Sequence, residues 1–214
     1  EGQARLKSHG YDGVPVVGNG VDYVSGGDLR AVARIAGFVW DPPPMLEPPV
    51  LYQKWDWILE SCVRYVRQVP EGGLEYEPPD RPRTLRNLAF HAMSIARSFL
   101  RAYDEGMPES WRGIMDLAPD HIQTVEELAA YGEESRRMLA EWWRDAGSQD
   151  PLDRVIETYQ GAQTLHEAFE RQTWHTAQHT RQVMMFLGWL DTEVDRPLTD
   201  DDLAGLPMPK GWWD

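Results

Sequence analysis

Residues Leu165 to Leu190 read LHEAFERQTWHTAQHTRQVMMFLGWL. Leu165, Phe169, Gln172, His175, His179, Val183, Phe186 and Leu190 recur in steps of three or four. That spacing keeps side chains on one face of an α-helix, because 3.6 residues make a turn. The stretch therefore predicts one long helix, over about 165–190, with a buried stripe. Near the middle of the stripe, where core leucines are expected, stand His175 and His179. Histidines four residues apart on a helix can both reach one metal ion, as in zinc sites of the HxxxH type.

Three more helical segments precede it. The first is expected over about 50–69, with Trp55, Leu59, Cys62 and Val66 on one stripe. The second is expected over about 84–103, starting after Thr84, with Leu88, His91, Ile95 and Phe99 on one face. The third is expected over about 124–146 and opens on TVEE, in which Thr124 and Glu127 have the form of a capping box. A short strand pair with a turn near Gly161 is expected before the fourth helix. Four helices of about 20 residues make a four-helix bundle the natural architecture. Most of the ten tryptophans, Trp55, Trp142, Trp174 and Trp189 among them, are expected in its packing. The Pro-limited tail LPMPKGWWD is expected to pack through Trp212 and Trp213.

His91 stands to Leu88 and Ile95 as His175 does to its neighbours, so three imidazoles point into the bundle. A buried polar group without a partner costs about 1–3 kcal/mol. One divalent ion satisfies all three rings together. Three protein ligands also leave a position open, the form of a catalytic rather than a closed structural site. His166 is half a turn out of phase, His9 and His121 lie in polar loops, and Cys62 reads as a small buried hydrophobe. Three imidazoles suit zinc, nickel, iron or copper. No general acid or base is evident, although Arg181, Gln182, Trp174 and Tyr159 lie near the histidines in sequence.

Upstream, WDPPPMLEPP (Trp40 to Pro49) holds five prolines in ten residues and reads as a stiff linker. Before it, YDGVPVVGNGVDYVSGGDLRAVARIAGF reads as strand, turn, strand and helix. Gly18-Asn19-Gly20 suits the turn, and Asp28 suits the cap of a helix carrying Leu29, Val32, Ala33 and Ala36. Such a unit is too small to bury a core alone and must dock on something. The expected organisation is thus a segment over 1–39, a linker over 40–49 and a bundle over 50–214. The chain opens at Glu1 inside what reads as a structural unit, which predicts that residues precede it.

TLRNLAFHAMSIARSFL, followed some eighty residues later by GAQTLHEAFERQTWHTAQHTRQVMMFLGWL, resembles the DinB/YfiT-like superfamily over about 50–214. The resemblance implies a four-helix bundle of up-down-down-up topology, with a metal site of one histidine on the second helix and an HxxxH on the fourth. The matching positions are His91, His175 and His179. Gln182 matches the frequent H-x-G-Q ending, with Arg181 in place of its glycine. Members whose chemistry is understood often use mycothiol, bacillithiol or glutathione in transferases and isomerases. GVPVVGNGVDYVSGGDL is in turn similar to the second half of a glutaredoxin. That similarity implies a thiol-binding role for Val14, Pro15, Gly26, Gly27 and Asp28; the half of that fold with the redox cysteine has no counterpart in this chain.

Lys and Arg number 21 against 35 Asp and Glu, a net charge of −14, which disfavours nucleic acid and anionic membrane as partners. No apolar run approaches the roughly 20 residues that span a bilayer. The single cysteine, Cys62, excludes an internal disulfide and a cysteine-based zinc cluster. Together these predict a cytoplasmic protein with a small-molecule substrate, and a homodimer is compatible with them. Three functions are compatible with the histidines: a metal-dependent, thiol-using transferase, isomerase or lyase; a hydrolase with metal-activated water; or a non-catalytic metal-binding or dimerisation module.

Overall fold

The computed structural model describes residues 6–10, 16–26, 28–79, 82–105, 117–158, 161–209 and 211. Strands β1 (Val16–Gly18) and β2 (Tyr23–Ser25) pair antiparallel, with Val17 opposite Val24. Asn19 closes the loop between them, its Oδ1 accepting from the Val21 and Asp22 amides. Helix α1 (Leu29–Ala36) follows; Asp28 caps it by accepting from the Ala31 amide, and Gly37 ends it at φ 78°. The unit of strand, turn, strand and helix is therefore present. Val14, Pro15 and Gly27 lie outside the described residues.

The bundle consists of α2 (Pro48–Val66), α3 (Leu85–Glu105), α4 (Val125–Trp142) and α5 (Leu165–Trp189). The linker is shorter than the sequence suggests, because Pro48 and Pro49 occupy the first turn of α2. Proline is tolerated there, since the amide it lacks has no helical partner anyway. Thr124 with Glu127, and Thr164 with Glu167, form complete capping boxes that start α4 and α5. Helix α4 runs on into one π-type turn over Trp143–Gly147. A side chain at Gly147 would meet the Trp142 ring at 2.7 Å, so the turn needs glycine there. Strands β3 (Val155–Thr158) and β4 (Gly161–Thr164) form the second hairpin, directly ahead of α5. A short helix α6 (Asp200–Leu203) lies in the tail.

Helices α2 and α3 each pack on both α4 and α5 and touch each other little. One aromatic cluster sets the directions. Trp55 at the start of α2 lies 5.5 Å from Phe99 late in α3 and 5.6 Å from Phe169 at the start of α5. Trp142 at the end of α4 lies 5.1 Å from Phe99 and 5.3 Å from Phe169. Starts of α2 and α5 therefore meet ends of α3 and α4, which is the up-down-down-up arrangement. The Trp55 indole N–H donates to Thr176 Oγ1 at 2.9 Å, tying α2 to the middle of α5. Trp55 and Trp142 are core residues as the spacing predicts. Trp189 is not: at the last turn of α5 it is 43% exposed, leaning on Tyr76 and Phe186. Trp212 and Trp213 lie outside the described residues.

Candidate metal centre

Three imidazoles meet where α3 passes α5 in the opposite direction. His91, in the second turn of α3, is 2% exposed; His175 and His179, in the middle of α5, are partly buried. The rings lie with centroids 4.6 to 5.4 Å apart. One ligand nitrogen from each falls within 4.8 Å of the other two. The two Nε2 atoms of His175 and His179 are 3.0 Å apart. Two nitrogens bound at about 2.1 Å and about 90° apart on one ion have a separation of about 3.0 Å, so this pair already has the spacing of neighbouring ligands.

The electrostatics favour the same use. Burial is the main cause that pushes His175 well below its ordinary pKa, and the neighbouring imidazoles and the guanidinium groups of Arg171 and Arg83 add to it. His175 is thus a neutral imidazole at pH 7, and a neutral ring has a lone pair to give to a metal. Among the described residues no carboxylate or thiol joins the three histidines. Cys62 is fully buried on α2, and burial pushes its thiol up to about 12, against a smaller effect of its bond with Thr180. It is an inert core residue, as its stripe predicts.

Each histidine of α5 has a glutamine behind it. Gln182 Oε1 lies 2.7 Å from His179 Nδ1, and Gln172 Oε1 lies 3.5 Å from His175 Nδ1. Gln182 and Gln172 are themselves buried. The floor of the site is satisfied internally: Thr176 Oγ1 donates to the Gln172 carbonyl, and Thr173 and Thr180 bond back to the carbonyls of Phe169 and Thr176. The arrangement can therefore hold one divalent ion on imidazole nitrogen, with room in its coordination shell.

The pattern of the DinB superfamily matches residues 55–183, more than half of the chain and the whole bundle apart from the first turns of α2 and the last turns of α5. The chain belongs to the DinB superfamily. Members of this superfamily often bind metal, and its second and fourth bundle helices are the ones that carry the three histidines here. A comparison with functionally characterised proteins finds no match.

The remaining expected positions fall as follows. His166 faces away, its Nε2 2.8 Å from the Leu46 carbonyl. His9 stacks on Tyr23 at 3.8 Å, and His121 is exposed. Trp174 lies beside the site, with the Arg171 guanidinium 4.9 Å above its ring. Arg181 is partly buried on α5, and Tyr159 lies outside the described residues. Of the thiol-binding set, Gly26 sits in the turn after β2 and Asp28 caps α1. Gln172, Arg171 and Arg83 were not legible as parts of the site. Gln172 mirrors Gln182, three residues before His175 where Gln182 is three after His179, and that symmetry was the available signal. Arg83 precedes α3, and nothing in its spacing points to the histidines.

Proposed function

We propose that the protein is a metal-dependent enzyme whose divalent ion, zinc, nickel or iron, is held by His91, His175 and His179. The observation that carries this reading is the 3.0 Å approach of two ring nitrogens, with a third buried imidazole beside them. That spacing is the one two imidazole ligands take around a single cation. Bound there, a divalent ion lowers the pKa of a coordinated thiol or water and makes a nucleophile at pH 7.

Within this reading the cosubstrate is a low-molecular-weight thiol such as glutathione, and the chemistry is of transferase, isomerase or lyase type on a small molecule. Support comes from where the N-terminal unit docks. Arg30, two residues after the cap of α1, forms an ion pair with Glu167 of α5. Glu167 precedes His175 by eight residues, about 12 Å along the helix at 1.5 Å each. An extended glutathione reaches on the order of 10 Å. The two lengths are of the same order, and on this reading the amides at the start of α1, beside Asp28, hold the thiol's carboxylate while its sulfur reaches the ion. Gly26, Gly27, Val14 and Pro15 belong to the same proposed set. A hydrolase with metal-activated water is the second reading, favoured by the lack of a fourth ligand among the described residues. That same lack disfavours a closed storage site.

Among the described residues no helix is long and apolar enough to cross a membrane. Residence in the cytoplasm, and a homodimer, are parts of the proposal. Elemental analysis of the purified protein, with and without His179→Ala, tests the metal. Turnover of thiol conjugates that is lost on chelation, with no hydrolysis in thiol-free buffer, is the expected result. One bound ion with hydrolysis in the absence of thiol would favour the second reading, and a metal content unchanged in His179→Ala would refute both.

A further inference from the structure

The half-exposed face of α5 carries Arg171, Trp174, His175, Gln178 and His179, while Gln172, Thr173, Thr176 and Thr180 are buried behind it. This face is the mouth of the histidine site, and a guanidinium stands towards either end of it. Arg171 lies one turn before His175, about 6 Å along the helix at 1.5 Å per residue. Its guanidinium is held 4.9 Å from the centre of the Trp174 ring. Arg83 comes from the other end. The start of α3 lies beside the later turns of α5, since the Leu85 amide donates to the Tyr76 carbonyl and the Tyr76 ring meets Phe186 at 5.7 Å. From there Arg83 Nη2 donates to the carbonyl of Asn87, one turn before His91, at 3.4 Å. Both guanidiniums are close enough to His175 to act on it electrostatically.

Charge balance makes this pair informative. Imidazole ligands are neutral, so a divalent ion between them keeps both its charges. The guanidiniums add two more, because arginine does not deprotonate in proteins. Among the described residues no carboxylate joins the histidines. The two acids upstream on α5 have other partners: Glu170 accepts from the Leu46 amide, and Glu167 pairs with Arg30. One thiolate or hydroxide cancels a single charge, so the site favours a second anionic group, and the planar fork of a guanidinium matches a carboxylate. We infer that Arg171 and Arg83 are specificity residues of this site, which select a small molecule carrying a carboxylate beside the atom that meets the ion. The inference rests on the metal-centre reading above. The carboxylate is a different one from that assigned to the start of α1, and it belongs either to the thiol or to the second substrate.

The test compares probes that differ by one charge. In the cobalt(II)-loaded protein, the thiolate absorption band measures the binding of β-mercaptopropionate and of its uncharged amide. Succinate and succinamide, added to the cobalt(II) protein already saturated with β-mercaptoethanol, are followed by the cobalt bands. A preference of about 10-fold or more for the carboxylate is expected in at least one pair, the usual worth of a hydrogen bond to a charged group. The thiol pair showing it assigns the carboxylate to the thiol, and the other pair assigns it to the second substrate. Arg171→Gln and Arg83→Gln should reduce the preference towards unity. They should bind cobalt(II) no more weakly than wild type, because loss of a positive charge eases the binding of a cation. Equal binding within both pairs would overturn the inference, as would a cobalt(II) affinity that falls together with the preference, the mark of a merely structural role. A wild-type protein that binds no cobalt(II) would refute the metal-centre reading. The inference would then be upheld if succinate, and not succinamide, shifts the Trp174 indole resonance of the metal-free wild type but not of Arg171→Gln, and overturned if it does not.

Discussion

Gly132 lies where α4 packs against Val63 of α2 and Met93 of α3. A methyl group there would stand 2.2 Å from Met93 Sδ and 2.6 Å from Val63 Cγ2, both on buried side chains. Ordinary contacts between such atoms are about 3.5–4.0 Å, so Gly132→Ala must open the α4 packing by more than 1 Å or force Met93 and Val63 off their rotamers. Overpacking of this kind costs about 1–3 kcal/mol. Against it stands a helix-propensity gain of about 1 kcal/mol. The expected net result is a loss of up to about 2 kcal/mol. Gly188, on the exposed side of α5, supplies the control, because nothing lies within 4 Å of a methyl group placed there. Gly188→Ala should gain up to about 1 kcal/mol. At about 2–4 °C per kcal/mol for a chain of this size, the two melting temperatures should separate by several degrees, with Gly132→Ala the lower. Calorimetry of both variants beside the wild type decides it. A Gly132→Ala protein as stable as Gly188→Ala would refute the close packing of α4 on α2 and α3.

Other expectations concern charge and access. His175 is kept neutral chiefly by burial, so the native state binds its proton less readily than the unfolded chain does. The metal-free protein should therefore hold full stability above about pH 6.5 and lose it as pH falls below that value, with thermal melts between pH 8 and 5 as the measure; a flat profile would contradict a buried His175. Cys62, buried and with its thiol pushed up to about 12, should not react with a thiol reagent in the native state and should titrate as one thiol in denaturant. Arg30→Ala removes the ion pair with Glu167, a half-exposed contact whose kind contributes under about 1 kcal/mol. The bundle's melting temperature should hardly move, while limited proteolysis in the 40–47 segment should speed up; unchanged cleavage would mean that the N-terminal unit is held by other contacts.

The bundle was readable because its helices carry strong 3.6-residue periodicity and conventional signals at their starts. Thr124 caps as its sequence suggests, and the spacing that places Leu88, His91 and Ile95 on one face is the one that buries them. The same phase argument brought the three histidines together from segments far apart in sequence. What periodicity does not encode is what lies across from a side chain. The roles of Gln172 and of the arginines depend on rotamers and on the path of the chain before α3, which no spacing rule fixes. Trp189 shows the reverse failure: its phase is right, but the helix ends there, and a residue in the last turn has no partner helix to cover it. The prolines at 48 and 49 were read as part of the linker because the helix start was set two residues too late.

The crossing of α3 and α5 at the histidines also bears on how the protein folds. Positions 91 and 175 are 84 residues apart in the chain. Closing a flexible loop of that length costs about 4 kcal/mol of chain entropy, beyond a constant. In the unfolded chain an ion would find only the local pair His175 and His179, a weak two-ligand site. In the native chain the aromatic cluster of Trp55, Phe99, Trp142 and Phe169 has already brought α3 and α5 together, so the ion meets a closed loop. On the proposed reading, loss of the bundle therefore releases the metal. A colorimetric chelator should report global unfolding as faithfully as circular dichroism does, and free metal should raise the melting temperature in proportion to the logarithm of its concentration.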